Sequence, residues 1–156
     1  GYLHLAGKIQ IAGVGASSLV AKDLSYKLTK IGHAVHCEYD AHIQIANAAA
    51  LSESDVLVAL SYSGRSREVL SIAQLARSKG AKVIIISQLA PTPLDRYADI
   101  KLMTAADEEQ IRSSSITARD SQLLMTDLLF IALTQQEESA DQLIEQSKSA
   151  VAVLKQ

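Results

Sequence analysis

The sequence predicts an α/β domain, a three-layer sandwich in which a five-stranded parallel sheet lies between helices. Short apolar runs alternate with helical periodicity, and the connections are long enough to cross over between parallel strands. The run at residues 81–87 is β-branched and unbroken, as expected for a strand buried on both faces. Two other apolar runs, at 8–12 and 55–60, end in loops rich in glycine and serine. Such loops are typical of ligand sites at the carboxyl ends of parallel strands.

The first half of the chain alternates regularly between the two periodicities. After the strand at 8–12, apolar residues recur at helical steps over 19–31, and Gly32 marks the helix end. A short strand follows at 34–38. The alanine-rich stretch that comes next is predicted to be a helix, 40–51, with Asp40 as its N-cap.

The second half continues the alternation. The strand at 55–60 leads through a serine-rich loop into a helix that reaches Lys79 and ends at Gly80. After the buried strand two prolines interrupt regular structure, and we expect one turn at 94–97. The remaining predicted elements are an edge strand, a long apolar helix and an amphipathic helix, at 100–103, 115–135 and 140–154.

The stretch Ser61-Tyr62-Ser63-Gly64-Arg65-Ser66-Arg67-Glu68 has the composition of an anion site. It joins a strand to a helix N-terminus, where the first N–H groups have no internal acceptors and the helix dipole is positive. The serines add hydroxyl donors and the glycine allows close backbone approach. The alternative is an ordinary helix cap with spare serines. One cap needs one serine, so we favour phosphate binding.

A second loop follows the first strand and contains Gly13, Gly15, Ser17 and Ser18. It resembles the dinucleotide fingerprint GxGxxG, and Glu38 supplies a following acidic residue, but Ser18 replaces the third glycine. The phosphate loop GxxxxGK[ST] of nucleotide triphosphatases is absent. If the strands follow the flavodoxin-like order 2-1-3-4-5, the two loops are neighbours at the switch point. The pattern therefore predicts a phosphorylated small polar ligand and no cofactor.

Composition excludes several other classes of function. The 156 residues suffice for one domain with a hydrophobic core. A net charge of −2 without a Lys/Arg cluster argues against a domain that binds nucleic acid by itself. Cys37 is the only cysteine, so an internal disulfide or multi-cysteine zinc site is impossible, and we expect it to be buried. We expect no metal site, no membrane segment and a cytoplasmic location.

The chain begins without methionine, and a strand follows almost at once. We therefore expect residues 1–7 to be the remnant of a linker and residues 8–156 to form the domain, excised from a longer parent protein.

Taken together, these motifs resemble a sugar isomerase (SIS) domain over nearly the whole chain. Further stretches resemble the C-terminal effector domain of RpiR-type bacterial transcriptional regulators. They are Asp40-Ala41-His42, the segment 108–113, and the helix segment 127–131.

The resemblance implies a domain that binds a sugar phosphate, placed behind an N-terminal helix-turn-helix domain that is absent here. It also implies a set of ligand contacts. The phosphate would be held by Ser61, Ser63, Gly64 and Ser66. The sugar would be contacted by Gly15, Ser17, Ser18, His42 and Glu108, or less plausibly Glu109. No catalytic residue is expected in such a sensor.

The alternative is a phosphosugar isomerase, because SIS folds also serve enzymes. Glu108 or Glu109 would be the base, and a histidine would be the acid that opens the ring. Of the four histidines, His4 lies in the predicted linker, we expect His33 to be solvated, and His36 fits a core position. Only His42 follows a strand near the predicted site.

The apolar residues between Leu123 and Leu133 fall on more than one face of their predicted helix. Such a helix is either wholly buried or shared with a partner. We therefore expect a homodimer or homotetramer formed through the C-terminal helices.

Overall fold

The computed structural model describes residues 1–105 and 114–155, and the side chains of residues 114, 115 and 155 lie outside that description. Five parallel strands form one sheet in the order β2-β1-β3-β4-β5, so the predicted fold class and strand order are confirmed. The strands are Ile9–Ala12 (β1), Val35–His36 (β2), Val56–Leu60 (β3), Lys82–Gln88 (β4) and Ile100–Thr104 (β5).

The helices alternate with these strands as predicted, and a short 3-10 helix at Pro93–Tyr97 occupies the expected turn. They are Ala16–Lys30 (α1), Ala41–Ala49 (α2), Arg67–Ser78 (α3), Ser114–Thr134 (α4) and Ala140–Ala152 (α5). Asp40 caps α2, since its side chain accepts hydrogen bonds from the backbone of His42 and Ile43. The first helix begins three residues before its predicted start, directly after the glycine loop.

The central strand β3 divides the hydrophobic core into two layers, because successive side chains of a strand point to opposite faces. Its residues 56, 58 and 60 pack against α1, α4 and α5, whereas 57 and 59 pack against α2 and α3. All five residues of β3 are buried. Burial on both faces explains why its sequence is a continuous apolar run rather than an alternating one.

Two histidines differ from their expected environments. The His33 side chain is only 11% exposed, and its Nε2 lies 2.7 Å from Glu137 Oε1, so the prediction that it is solvated is wrong. The imidazole of His4 approaches the same carboxylate oxygen, at 3.5 Å. His36 is exposed rather than in the core, because β2 is only two residues long and lies at the sheet edge.

Residues 1–7 pack against the domain. Leu3 is 4% exposed and belongs to the core layer that contains α4 and α5. The Gly7 N–H donates to the carbonyl oxygen of Ser54, just before β3. Whether residues 1–7 are the end of a linker stays a prediction.

Cys37 is buried, as expected. Burial raises the pKa of its thiol, although the nearby charge of Lys22 acts in the opposite direction. A thiol with a raised pKa is a poor nucleophile at neutral pH.

Neither 1–105 nor 114–155 contains a helix with the length and hydrophobicity that crossing a bilayer requires.

Candidate functional site

The loops that follow β1 and β3 meet at the carboxyl edge of the sheet, where the strand order reverses. A cleft of about 260 Å³ lies between them and the start of α4. The loop after β1 lines it with Val14, Ala16 and Ser17, the serine loop with Ser61, Tyr62, Ser63 and Ser66, and α4 with Ala118, Arg119 and Gln122. The two loops predicted from sequence to form one pocket therefore do so.

Ser61 and Ser66 bring their hydroxyls together at the base of this cleft. The backbone N–H of Ser61 donates to the carbonyl oxygen of Ile86, which attaches the loop to β4. The two hydroxyl oxygens are 3.3 Å apart. Ser66 occupies the N-cap of α3, but its side chain makes no capping hydrogen bond. The hydroxyl is therefore turned toward Ser61 and the cleft instead of the helix backbone, unlike an ordinary cap.

Gly64 determines the shape of the serine loop through its backbone conformation and its close packing on Thr92. Its φ is 63°, and its N–H donates to the carbonyl oxygen of Ser61 at 3.1 Å. A Cβ at this position would overlap Oγ1 and Cβ of Thr92. Only glycine satisfies both the left-handed backbone and this close approach.

Thr92 is itself held in place. Its hydroxyl donates to Asp95 Oδ1 at 2.6 Å, and Lys101 Nζ donates to the other oxygen of that carboxylate at 2.8 Å. Burial by itself would raise the pKa of Asp95, but these hydrogen bonds and the Lys101 charge outweigh it and lower the pKa below its usual value. The surface behind Gly64 is thus a rigid polar cluster.

The glycine loop is held by a residue that sequence reasoning missed. Gln44 of α2 accepts from the Gly13 N–H through Oε1, and its Nε2 donates to the Gly13 and Glu38 carbonyl oxygens. Gly13 packs directly on the backbone of Ser17, where a Cβ would lie 2.9 Å from the carbonyl oxygen. These contacts fix the entry to α1 and present Ser17 to the cleft.

Two polar residues of α4 complete the cleft, and neither was identified from the sequence. Arg119 is the one cation among the described lining residues. Its long contacts with Asp120, 3.4 Å on an exposed surface, are weak. Gln122 is 1% exposed and accepts from the Ser17 hydroxyl at 3.1 Å. The two residues stand three apart in a helix half that is rich in other polar residues, so the sequence offered no clear signal for them.

The predicted contact residues are not all placed alike. Ser17, Ser61, Ser63 and Ser66 line the cleft, and Gly15 and Gly64 shape its two loops. Ser18 turns its hydroxyl to the Gly15 carbonyl oxygen, at 2.6 Å. His42 is exposed in the first turn of α2 and is not among the described lining residues. Glu108 and Glu109 lie outside the described residues. For all the residues named in this paragraph, contact with a ligand stays a prediction.

A family model for the SIS domain matches residues 2–132, which is most of the chain. The chain belongs to the SIS domain family. Solved structures with this fold resemble the chain over most of its length. The Vibrio vulnificus NanR protein complexed with ManNAc-6P is 28% identical, with a TM-score of 0.90 over 98% of this chain. The present chain spans 58% of that protein, so it corresponds to a little over half of it.

Two further SIS structures show the same fold in different settings. The sugar isomerase domain of an RpiR transcription factor from Sphaerobacter thermophilus is 19% identical, with a TM-score of 0.79 over 95% of this chain and 82% of that one. A phosphoheptose isomerase from Francisella tularensis is 23% identical, with a TM-score of 0.71 over 83% of this chain and 76% of that one. The SIS fold is therefore shared by regulators and enzymes.

Proposed function

We propose that this SIS domain binds a sugar phosphate as the effector domain of a bacterial transcriptional regulator. Ligand binding would modulate DNA binding by an N-terminal helix-turn-helix domain of the parent protein. The observation that carries the proposal is the cleft in which Ser61, Ser63 and Ser66 surround the N-terminus of α3. In that arrangement the Ser66 side chain makes no capping hydrogen bond to α3.

The chemistry of this cleft suits a phosphate monoester. The dianion accepts several hydrogen bonds, and the serine hydroxyls with the first N–H groups of α3 supply donors around one point. Arg119 adds a positive charge on the opposite wall. Ser17 lies across from the serine loop and would face the sugar. Hydrogen bonds to a charged group each contribute about 1.5–3 kcal/mol.

The likeness to NanR supports the sugar-phosphate part of the proposal. That protein is in complex with ManNAc-6P, a sugar phosphate, and the 28% identity and the TM-score of 0.90 extend over 98% of this chain. In a regulator, the ligand acts by its differential affinity for two placements of the DNA-binding domains.

The phosphosugar isomerase remains the second candidate, because isomerases share the fold. Proton transfer between adjacent carbons needs a carboxylate or imidazole beside the sugar. The candidate bases, Glu108 and Glu109, lie outside the described residues. A coupled isomerase assay separates the candidates, and turnover that Glu108→Gln abolishes would establish the enzyme.

The first prediction is that phosphorylated sugars raise the melting temperature and their parent sugars do not. Saturation at 100 times Kd stabilises the folded state by about 2.7 kcal/mol, or roughly 5–10 °C for a domain of this size. A thermal-shift screen should pair hexose 6-phosphates, N-acetylhexosamine 6-phosphates and pentose 5-phosphates with the unphosphorylated forms. Equal shifts within every pair, or no shift with any sugar phosphate, would contradict the proposal.

A homodimer or homotetramer formed through the C-terminal helices is also part of the proposal, and α4 offers an apolar surface for it. Leu124, Leu128 and Ile131 are 62%, 53% and 51% exposed and follow one another at steps of four and three residues. They form one apolar stripe on an exposed face of the helix. Two-fold symmetry would suit a regulator that reads a palindromic operator.

The second prediction is that Leu128→Glu dissociates this assembly. A charge at the centre of an apolar interface loses its hydration without gaining a partner. Light scattering should find the wild type dimeric or tetrameric and the variant monomeric at micromolar concentration. Leu89→Glu is the matched control, because Leu89 is 68% exposed but lies after β4, away from the stripe. A monomeric wild type would exclude the assembly.

A further inference from the structure

Three buried polar atoms have no hydrogen-bond partner within the described part of the chain. They are Gln10 Oε1, Ser87 Oγ and Gln122 Nε2. Only Gln122 belongs to a residue that lines the cleft. A buried donor without an acceptor destabilises the folded state, and most buried polar groups in native proteins are paired. Such an atom beside a ligand cleft therefore indicates a group whose partner arrives with the ligand.

The other end of the Gln122 amide is already fixed. Its Oε1 accepts from the Ser17 hydroxyl at 3.1 Å, and the contact joins α4 to α1 across 105 residues of sequence. This bond orients the amide plane. It also commits the Ser17 proton, so that the remaining lone pairs of Ser17 can accept from a ligand. Both side chains line the cleft.

We propose that Gln122 is a specificity-determining residue, whose amide N–H donates to an oxygen of the sugar while Ser17 accepts from a neighbouring hydroxyl or N–H of the ligand. This rests on the proposed function. In this proposal the serine loop binds the phosphate, and Gln122 and Ser17 hydrogen-bond to the sugar that carries it. A site built to hydrogen-bond a ligand group discriminates strongly against ligands that lack it, because its own buried atoms are then left unpaired.

The test uses Gln122→Leu, which keeps the side-chain bulk and removes the amide. Calorimetric titration should compare a hexose 6-phosphate, an N-acetylhexosamine 6-phosphate and inorganic phosphate. We expect affinity for the best sugar phosphate to fall at least tenfold and affinity for inorganic phosphate to change less than twofold. The melting temperature without ligand should change little, because the variant removes an unpaired buried donor but also the acceptor of the Ser17 hydroxyl, which is partly exposed and can bond to water.

Two further variants keep the result interpretable. Thr126→Val is the matched control, since Thr126 is equally buried one turn further along α4 and only donates to the Leu123 carbonyl oxygen. It should bind the two sugar phosphates and inorganic phosphate like the wild type. Gln122→Glu keeps an acceptor for Ser17 but loses the donor, and it serves if the leucine variant does not fold. It should also lose sugar-phosphate affinity.

The outcomes separate the two proposals. A wild type that binds neither inorganic phosphate nor any sugar phosphate overturns the proposed function, and this inference with it. A wild type that binds sugar phosphates, with Gln122→Leu binding them equally well, overturns only the role of Gln122. Equal losses for sugar phosphate and inorganic phosphate, with a lower melting temperature, would assign Gln122 a purely structural role and overturn the inference as well.

Discussion

Replacing Gly64 with alanine is expected to destabilise the domain by about 2–4 kcal/mol. Two effects add. The left-handed backbone at φ 63° disfavours any side chain, and the new Cβ would overlap Thr92. Thr92 cannot easily move away, because its hydroxyl donates to Asp95, and Lys101 in turn holds that carboxylate. Urea unfolding should detect the loss of stability. Sugar-phosphate affinity should fall more than tenfold, since the serine loop would be displaced.

Gly32→Ala is the matched control for this prediction. Gly32 also has a positive φ, 91°, but an added Cβ would meet only the flexible Leu143 Cδ1, at 3.2 Å. The variant should therefore lose about 1–2 kcal/mol from backbone strain alone. Its ligand affinity should be unchanged, because Gly32 follows α1 at the end remote from the cleft. If the Gly64→Ala variant is as stable as the Gly32→Ala variant, the packing on Thr92 does not shape the loop.

Ser66→Ala is expected to lower sugar-phosphate affinity roughly 10- to 100-fold, the equivalent of one hydrogen bond to a charged group. The same change should alter the free energy of unfolding by less than about 0.5 kcal/mol. An N-cap serine normally contributes about 1 kcal/mol to stability, but the Ser66 hydroxyl makes no capping bond. Calorimetric titration and urea unfolding measure the two quantities independently.

Ser71→Ala provides the comparison for Ser66→Ala. Ser71 lies on the same helix, exposed, and donates only to the Arg67 carbonyl oxygen. We expect neither affinity nor stability to change appreciably. A Ser66→Ala variant that loses stability but keeps its affinity would identify the residue as an ordinary cap, the alternative that the sequence left open.

Local sequence patterns were sufficient to predict the fold and the positions of the two loops. The unbroken β-branched run of β4 predicts a strand buried on both faces, and its side chains pack into both layers of the core. The alternation of strands and helices predicts parallel pairing, and the glycine and serine loops follow strands that turn out to be neighbours. These features depend on periodicity and on residue types within one short segment, which a sequence displays directly.

The remaining features of the site depend on contacts between segments that are far apart in the chain. Gln122 reaches Ser17 across 105 residues, and His33 reaches Glu137 across 104, so no local pattern indicates either contact. His42 follows a strand, as a ligand residue should, yet capping by Asp40 places it in an exposed first helical turn. Thr92 makes glycine obligatory at position 64, although the turn itself only favours it.

The sequence by itself therefore determined the layered architecture and the serine-rich loop at a helix N-terminus, because backbone periodicity and helix-terminus composition are local properties. Only the tertiary structure decided which side chains face the loop across the cleft. That choice depends on how α4 packs on α1 and on how the loop after β4 packs on Gly64, and packing joins residues that the sequence keeps apart.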